Sequence, residues 1–179
     1  ATEHWEAAYI AWAFHLDFVR GRVDDAGNPI FSPREPVSRE ELAAMVARAA
    51  ELDLSGTGTP HFPDADQITP WAVRYVYAVT NESWIRGDGY GNLRPTDPIQ
   101  RSEAAAVIAR ALGRDGVTNT ASLVDVREDL RIFPDVLPGT WHYYLIIEVS
   151  HSHYFLTESV VIEGVARDME RWTEITWPN

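Results

Sequence analysis

Apolar positions recur along this chain at helical spacing in short, separated stretches. Ile10, Ala13, Phe14, Asp17 and Phe18 keep the three-four rhythm of a helix that buries one face. Leu42, Met45, Val46 and Ala49 repeat it further on. Ser38 followed by Glu41 predicts a capping box: the hydroxyl takes a free N–H of the first turn and the carboxylate reaches back. A cap of this kind stabilises a helix start by about 1 kcal/mol. Pro36 and Pro98 stand just ahead of such starts, where a preceding helix could not continue. The expected unit is therefore helix, irregular loop, helix, with a little strand in the loops.

The unit repeats. With Trp5 laid on Trp71, Tyr9 falls on Tyr75, Ile10 on Val76 and Ala13 on Val79. Phe18-Val19-Arg20-Gly21 then matches Trp84-Ile85-Arg86-Gly87, and a Gly-rich loop follows in both. Phe31-Ser32-Pro33 matches Leu93-Arg94-Pro95, and Val37-Ser38-Arg39-Glu40-Glu41 matches Ile99-Gln100-Arg101-Ser102-Glu103 at the start of an Ala-rich helix. These helices are expected to end near Leu52 and Leu112. A third, degenerate copy opens at Phe133-Pro134-Asp135-Val136, echoing Phe62-Pro63-Asp64-Ala65, and continues through Trp141, Tyr143 and Ile146. It lacks the Gly loop and the Arg turn. Its close is read as a helix over Gly164–Ile175 with Met169 and Trp172 facing inward. The expected divisions are 1–54 and 60–113 for two copies, 114–131 for a linker and 132–179 for the third. One copy cannot bury its apolar face alone, so the copies must pack on one another.

Composition narrows the possible functions. A formal charge of -12 with no basic stripe excludes a nucleic-acid partner and simple attraction to an anionic membrane. An anionic ligand would have to be held by local pockets against the overall field. With no cysteine there is no disulfide framework, thiolate zinc site or thiol catalysis. No apolar run reaches the length of a membrane span; the longest, Tyr143–Val149, carries Glu148. The chain opens at Ala1 without Met, as a processed form or a fragment would, so it is uninformative about targeting.

The ordered pattern of Phe-x-Asp, Trp helix, Gly turn, Phe-x-Pro and an Arg-containing helix start resembles the S-layer homology family over nearly the whole chain. The resemblance implies a mainly α fold of three lobes about a pseudo-threefold axis, with grooves between lobes. It implies a non-catalytic, extracellular anchor that binds secondary cell-wall polysaccharide of the bacterial surface through an anionic, pyruvylated sugar. No cofactor or metal is implied. The alternative partner is other surface-layer protein, through a protein–protein assembly module.

Arg39 and Arg101 are the leading candidates for holding that anion. Each lies at the first helical position, where a cation gains nothing from the macrodipole but a carboxylate or phosphate would meet both guanidinium and free N–H groups. Pairing with one of the many neighbouring acids is the competing account. Trp5, Trp71 and Trp141 are core residues with an edge toward a groove, or faces for stacking on sugar rings. Gly21 and Gly87 shape the turn after the first helix, and in the family let a ligand approach. Asp64 and Asp135 are candidates for sugar hydroxyls or for bonding their own turn. Ser38, Glu41 and Glu103 are assigned to capping.

Other motifs carry less. The Asp24–Asn28 and Asp88–Asn92 loops lack the downstream bidentate Glu of a calcium loop. Arg86-Gly87-Asp88 arises from the repeat pattern, and His142, His151 and His153 have no obvious acid partner for a metal. Among 27 acids the repeats single out no pair of the kind glycoside hydrolysis needs.

Overall fold

Four of the five helices end in the same way, and the endings show how the repeat is cut. In a computed structural model describing residues 5–56, 58–116, 118–162 and 165–176, the α-helices are α1 (Ala7–His15), α2 (Arg39–Ala49), α3 (Val73–Asn81), α4 (Arg101–Ala111) and α5 (Tyr143–Ser150). The N–H groups of Phe18, Leu52, Trp84 and Arg114 reach back to Ala13, Ala47, Val79 and Ala109, closing α1 to α4 with Schellman turns. The left-handed residue each turn requires is Asp17, Glu51 or Ser83 in the first three and Gly113 only in the fourth. Helix stops without glycine leave little trace in sequence, so α1 ends before Asp17 and Phe18, which the apolar rhythm had included.

The chain divides into two compact units, Ala1–Ile99 and Gln100–Asn179. In the first, α2 packs on α3. Its most buried apolar residues are Ala43, Ala44 and Ala47, opposite a helix that buries Tyr75, Val76 and Val79. Leu42, Met45 and Val46, the larger residues that set the sequence pattern, are only half-buried and Ala49 is exposed. Small side chains occupy the seam because they let two helices approach closely. Between α1 and α2 a short antiparallel ribbon, β1 (Arg22–Val23) with β2 (Pro29–Ile30), carries the Gly loop.

In the second unit α4 packs on α5, with Ala106, Ala109 and Leu145 in a common cluster. The protein is mainly α, with one large exception. The helix expected over 164–175 is instead strand β4 (Val165–Thr176), antiparallel to β3 (Ser152–Ile162) from Ser152–Thr176 to Ile162–Val165. Gly164 lies outside the described residues. The physical reason is composition: Tyr154, Phe155 and Thr157 with the β-branched run at 160–162 favour a pleated strand, and β4 pairs with it. Trp172 does face inward, fully buried with Leu123, Val126 and Ile147, while Met169 is half-buried. Residues 114–131 are more than a bare linker, since Leu123 and Val126 belong to this core. Among the described residues no helix is long and apolar enough to cross a membrane.

Candidate functional site

The first unit carries a groove of about 830 Å³ between the β1–β2 ribbon, α2 and the start of α3. Gly21 opens it. Its φ of +70° is left-handed, and a Cβ there would come within 2.6 Å of the Ile30 carbonyl oxygen, so no other residue fits without moving the ribbon. The turn puts Arg20 and Arg22 on the groove wall. Arg20 is held by Asp17 through two hydrogen bonds of 2.6 and 2.7 Å, and Arg22 donates to Glu41 at 2.6 Å. Glu41 also accepts from the Ser38 N–H at 2.8 Å, while the Ser38 hydroxyl accepts from the Glu41 N–H at 3.3 Å. Burial pushes the Glu41 carboxyl up, but the Ser38 and Arg22 bonds outweigh it and hold it below the usual range.

Two further guanidinium groups come from α2 and α3. Arg48 and Arg74 flank the buried Tyr75 ring at 4.7 and 4.8 Å from its centre, and Arg74 donates to the phenol oxygen at 3.0 Å. Burial pushes the Tyr75 phenol up, yet the bonds and charges of the two arginines leave it below its ordinary value. Arg48 donates at 3.4 Å to the Phe18 carbonyl, and its Nε is buried without a partner among the described residues. Neither Arg48 nor Arg74 forms an ion pair with a described carboxylate. Trp71, tilted against Tyr75 at 6.4 Å between ring centres, is 48% exposed at the rim. The groove thus offers an aromatic face beside two guanidinium groups that make no direct ion pair with a described carboxylate, in a chain whose net charge is -12.

The candidates from sequence scatter around this arrangement. Gly21, Trp71, Ser38 and Glu41 line the groove, and Arg39 does not. Arg39 is 5% exposed; its Nε donates to the Leu93 carbonyl at 2.6 Å and its Nη2 to the Arg86 carbonyl at 3.0 Å. Asp64 completes the clamp by accepting the Leu93 and Arg94 N–H groups at 2.8 and 2.7 Å. Burial raises the Asp64 carboxyl, but those N–H groups and the Arg39 charge bring it below the usual range. Glu40, next to Arg39, accepts both the N–H and the hydroxyl of Thr69, at 3.0 and 2.7 Å, ahead of α3. Gly87 lies in the clamped loop, where a Cβ would meet Gly91 at 3.0 Å.

Arg101, at the equivalent helix start, is exposed and makes no hydrogen bond or ion pair with the described residues. Glu103 accepts the Gln100 N–H at 3.0 Å in the matching capping box. Trp5, Trp141 and Asp135 are exposed and line no part of the groove. Arg20, Arg22, Arg48, Arg74 and Tyr75 were not singled out from sequence. For Arg20 the signal was present, since an Arg-Gly step closes the first helix of both full copies. Arg48 and Arg74 lie on helix faces that only the packing of α2 on α3 turns toward one cavity.

The model of the S-layer homology domain matches residues 1–43 and 61–105. These two segments are S-layer homology repeats. Their helix starts, Arg39 and Arg101, and their Trp residues, Trp5 and Trp71, all fall inside the matched segments. The chain is similar to cell surface glycoprotein 1 of Acetivibrio thermocellus, 29% identical over 162 residues, covering 83% of this chain and 7% of that protein. It is also similar to the S-layer protein EA1 of Bacillus anthracis, 27% identical over 127 residues (71% of this chain, 14% of that one). An uncharacterized cell wall amidase of the same organism is 33% identical over 89 residues, covering 50% of this chain and 16% of that protein. The chain spans less than a fifth of the length of each of these curated relatives. The repeat is a cell-wall anchoring module, which places the chain at the outer cell surface.

Proposed function

We propose that the groove of the first unit binds an anionic, carboxylate-bearing sugar of a secondary cell-wall polysaccharide, such as a pyruvylated residue, and so tethers the protein to the wall. The observation that carries this reading is the pairing of Arg48 and Arg74 beside the half-exposed Trp71 in one concavity. A planar guanidinium takes a carboxylate bidentately, and an indole face covers a sugar ring. Arg39 and Asp64 fix the loop at 86–94, which does not line the groove, and are assigned a structural role rather than contact with the polymer. Arg22 and Glu41 already neutralise each other and act as part of the wall.

The test is retention on purified, protein-free sacculi before and after acid extraction of their secondary polymers. Binding to native walls that disappears on extraction supports the proposal. Arg74→Ala and Trp71→Ala are then each expected to weaken binding about tenfold, equivalent to about 1.4 kcal/mol, with the circular dichroism spectrum unchanged. Equal retention on extracted walls, or full binding by both variants, sinks the assignment. Absence of binding to any wall would favour protein–protein assembly as the use of the module.

A further inference from the structure

The chain contains no lysine: all 15 of its cationic side chains are arginines, which stay charged in alkali. Above about pH 8.5 the side chains left to titrate are its seven tyrosines. One of them stands where the two cations of the groove meet. Tyr75 is 2% exposed at the α2–α3 seam, with the Arg48 guanidinium at 4.7 Å and the Arg74 guanidinium at 4.8 Å from its ring centre. The two charges therefore lie within about 10 Å of each other, a Debye length at moderate ionic strength, and repel. The electron-rich ring offsets that repulsion, and the phenol oxygen accepts from Arg74 Nη2 at 3.0 Å. The other charged groups along the groove have partners of their own or face solvent. Asp17 holds Arg20, Arg22 donates to Glu41, Glu40 accepts from Thr69, and Glu35 is exposed.

We propose that Tyr75 is the positioning residue of the groove, holding Arg48 and Arg74 ready for a carboxylate, and that its phenolate competes with that carboxylate for them. The inference rests on the polysaccharide reading of the groove. In the neutral form the phenol oxygen takes one N–H of Arg74 and leaves the rest of that exposed guanidinium to the ligand. Loss of the phenolic proton to solvent places a full negative charge against both arginines. That charge neutralises them from inside the site and repels a sugar carboxylate. Burial opposes the ionisation, but the bonds and charges of Arg48 and Arg74 favour it more, so the phenol ionises below the ordinary tyrosine value. The sign follows from linkage. Affinity is complete while the phenol is neutral, and falls by at most about tenfold per pH unit once the pH exceeds the value of the ligand-free phenol. The groove is thus switched off in alkali by one proton, while its arginines remain charged.

The experiment compares the full chain with Tyr75→Phe and Arg74→Gln. Phenylalanine keeps the ring and its contact with both cations, so the oxygen alone is lost, and circular dichroism checks that the seam survives. Tyr75→Leu, which copies Leu145 at the matching place of the third repeat, serves as a second variant without the phenol. Ultraviolet absorbance first follows phenol ionisation without ligand, from neutral pH to about pH 11. The step missing from Tyr75→Phe belongs to Tyr75, and it is expected to move to higher pH in Arg74→Gln. Dissociation constants for purified, protein-free sacculi are then measured over the same range. Tyr75→Phe is expected to bind about fivefold more weakly than the parent at neutral pH, and the parent to become the weaker binder above its Tyr75 step. Parallel pH profiles for the two proteins overturn the proposal, as does a Tyr75 step that Arg74→Gln leaves in place. No wall binding by the parent at neutral pH, or full binding by Arg74→Gln, sinks the polysaccharide reading and this inference with it. Weakened binding by Arg74→Gln together with parallel profiles sinks this inference alone.

Discussion

Arg39→Ala removes charge-assisted hydrogen bonds to the buried Leu93 carbonyl and the part-buried Arg86 carbonyl, and leaves the segment to Asp64 and to the backbone N–H groups of residues 39 and 40, which donate to the Asp97 and Pro95 carbonyls. Net contributions of such bonds run about 1.5–3 kcal/mol each, so a loss of about 3 kcal/mol takes the low end for both. With a urea m-value of about 1.5 kcal/mol/M for a unit of this size, the transition midpoint falls by about 2 M. Arg101→Ala, at the same repeat position but exposed and without partners among the described residues, is expected to move the midpoint by less than about 0.3 M, within the usual range for surface changes. The assay is urea unfolding followed by Trp fluorescence and by circular dichroism on the two variants side by side. Arg39→Lys should recover little, because one ammonium cannot match the forked geometry that reaches both carbonyls. Equal midpoints for Arg39→Ala and the parent protein would refute the clamp. A loss of wall binding by Arg39→Ala without any loss of stability would return Arg39 to the ligand.

Two further outcomes follow from the second unit. Trp172→Ala empties the centre of its core and is expected to cost about 3–5 kcal/mol, read as a fall in melting temperature. Trp172→Phe should cost much less, since it keeps a ring and removes an indole N–H that is buried without a partner among the described residues. Burial holds the pKa values of His151 and His153 below the usual imidazole range, against the carbonyls of Ile147 and His151 and, at His153, the Glu148 carboxylate, all of which favour the charged form. His151 uses Nε2 to accept the Arg131 N–H at 3.1 Å, and His153 Nε2 faces Arg114 at 3.1 Å, so neither can be charged without breaking a bond. Groups whose folded values lie below the unfolded 6.5 stabilise fully above that pH and lose their contribution as pH falls through the folded values. The melting temperature of the second unit should therefore fall between pH 7.5 and 5. His153→Gln should flatten the dependence, and a flat profile in the parent protein would contradict the tautomers.

The repeat was legible because both full copies carry their Trp, their Arg-Gly turn and their helix start in the same order. The capping boxes were legible for the same reason: Ser38 and Glu41 need only local geometry. The seam of α2 was not. The rhythm of Leu42, Met45 and Val46 pointed to the larger side chains, while close helix approach buried Ala43, Ala44 and Ala47. At 165–176 the spacing of Met169 and Trp172 fits a helix as well as one face of a strand, and long-range pairing with β3 decided for the strand. The groove followed a similar rule. Gly21 and Trp71 could be named from the repeat, but Arg48 and Arg74 needed the crossing of α2 and α3 to bring them to Tyr75. Arg39 was singled out for its odd position at a helix start, and its reason proved to be the next copy's loop. The third copy closes in a hairpin in place of a Gly loop, and Arg101 is exposed.

The hairpin also sets how the second unit would respond to tension. Ser152 and Thr176 face each other at its open end, so a load entering at residue 176 meets the β3–β4 hydrogen bonds one pair at a time. Bonds loaded in succession yield at lower force than bonds sheared together, with Trp172 the first deeply seated obstacle along the path. Peeling the strands would release about 25 residues, roughly 85 Å of slack at about 3.4 Å per residue, and would draw Trp172 out of the core it shares with Leu123, Val126 and Ile147. In a cell-wall anchoring module, a hairpin loaded this way would lengthen under a pull at the cost of its own unit's core.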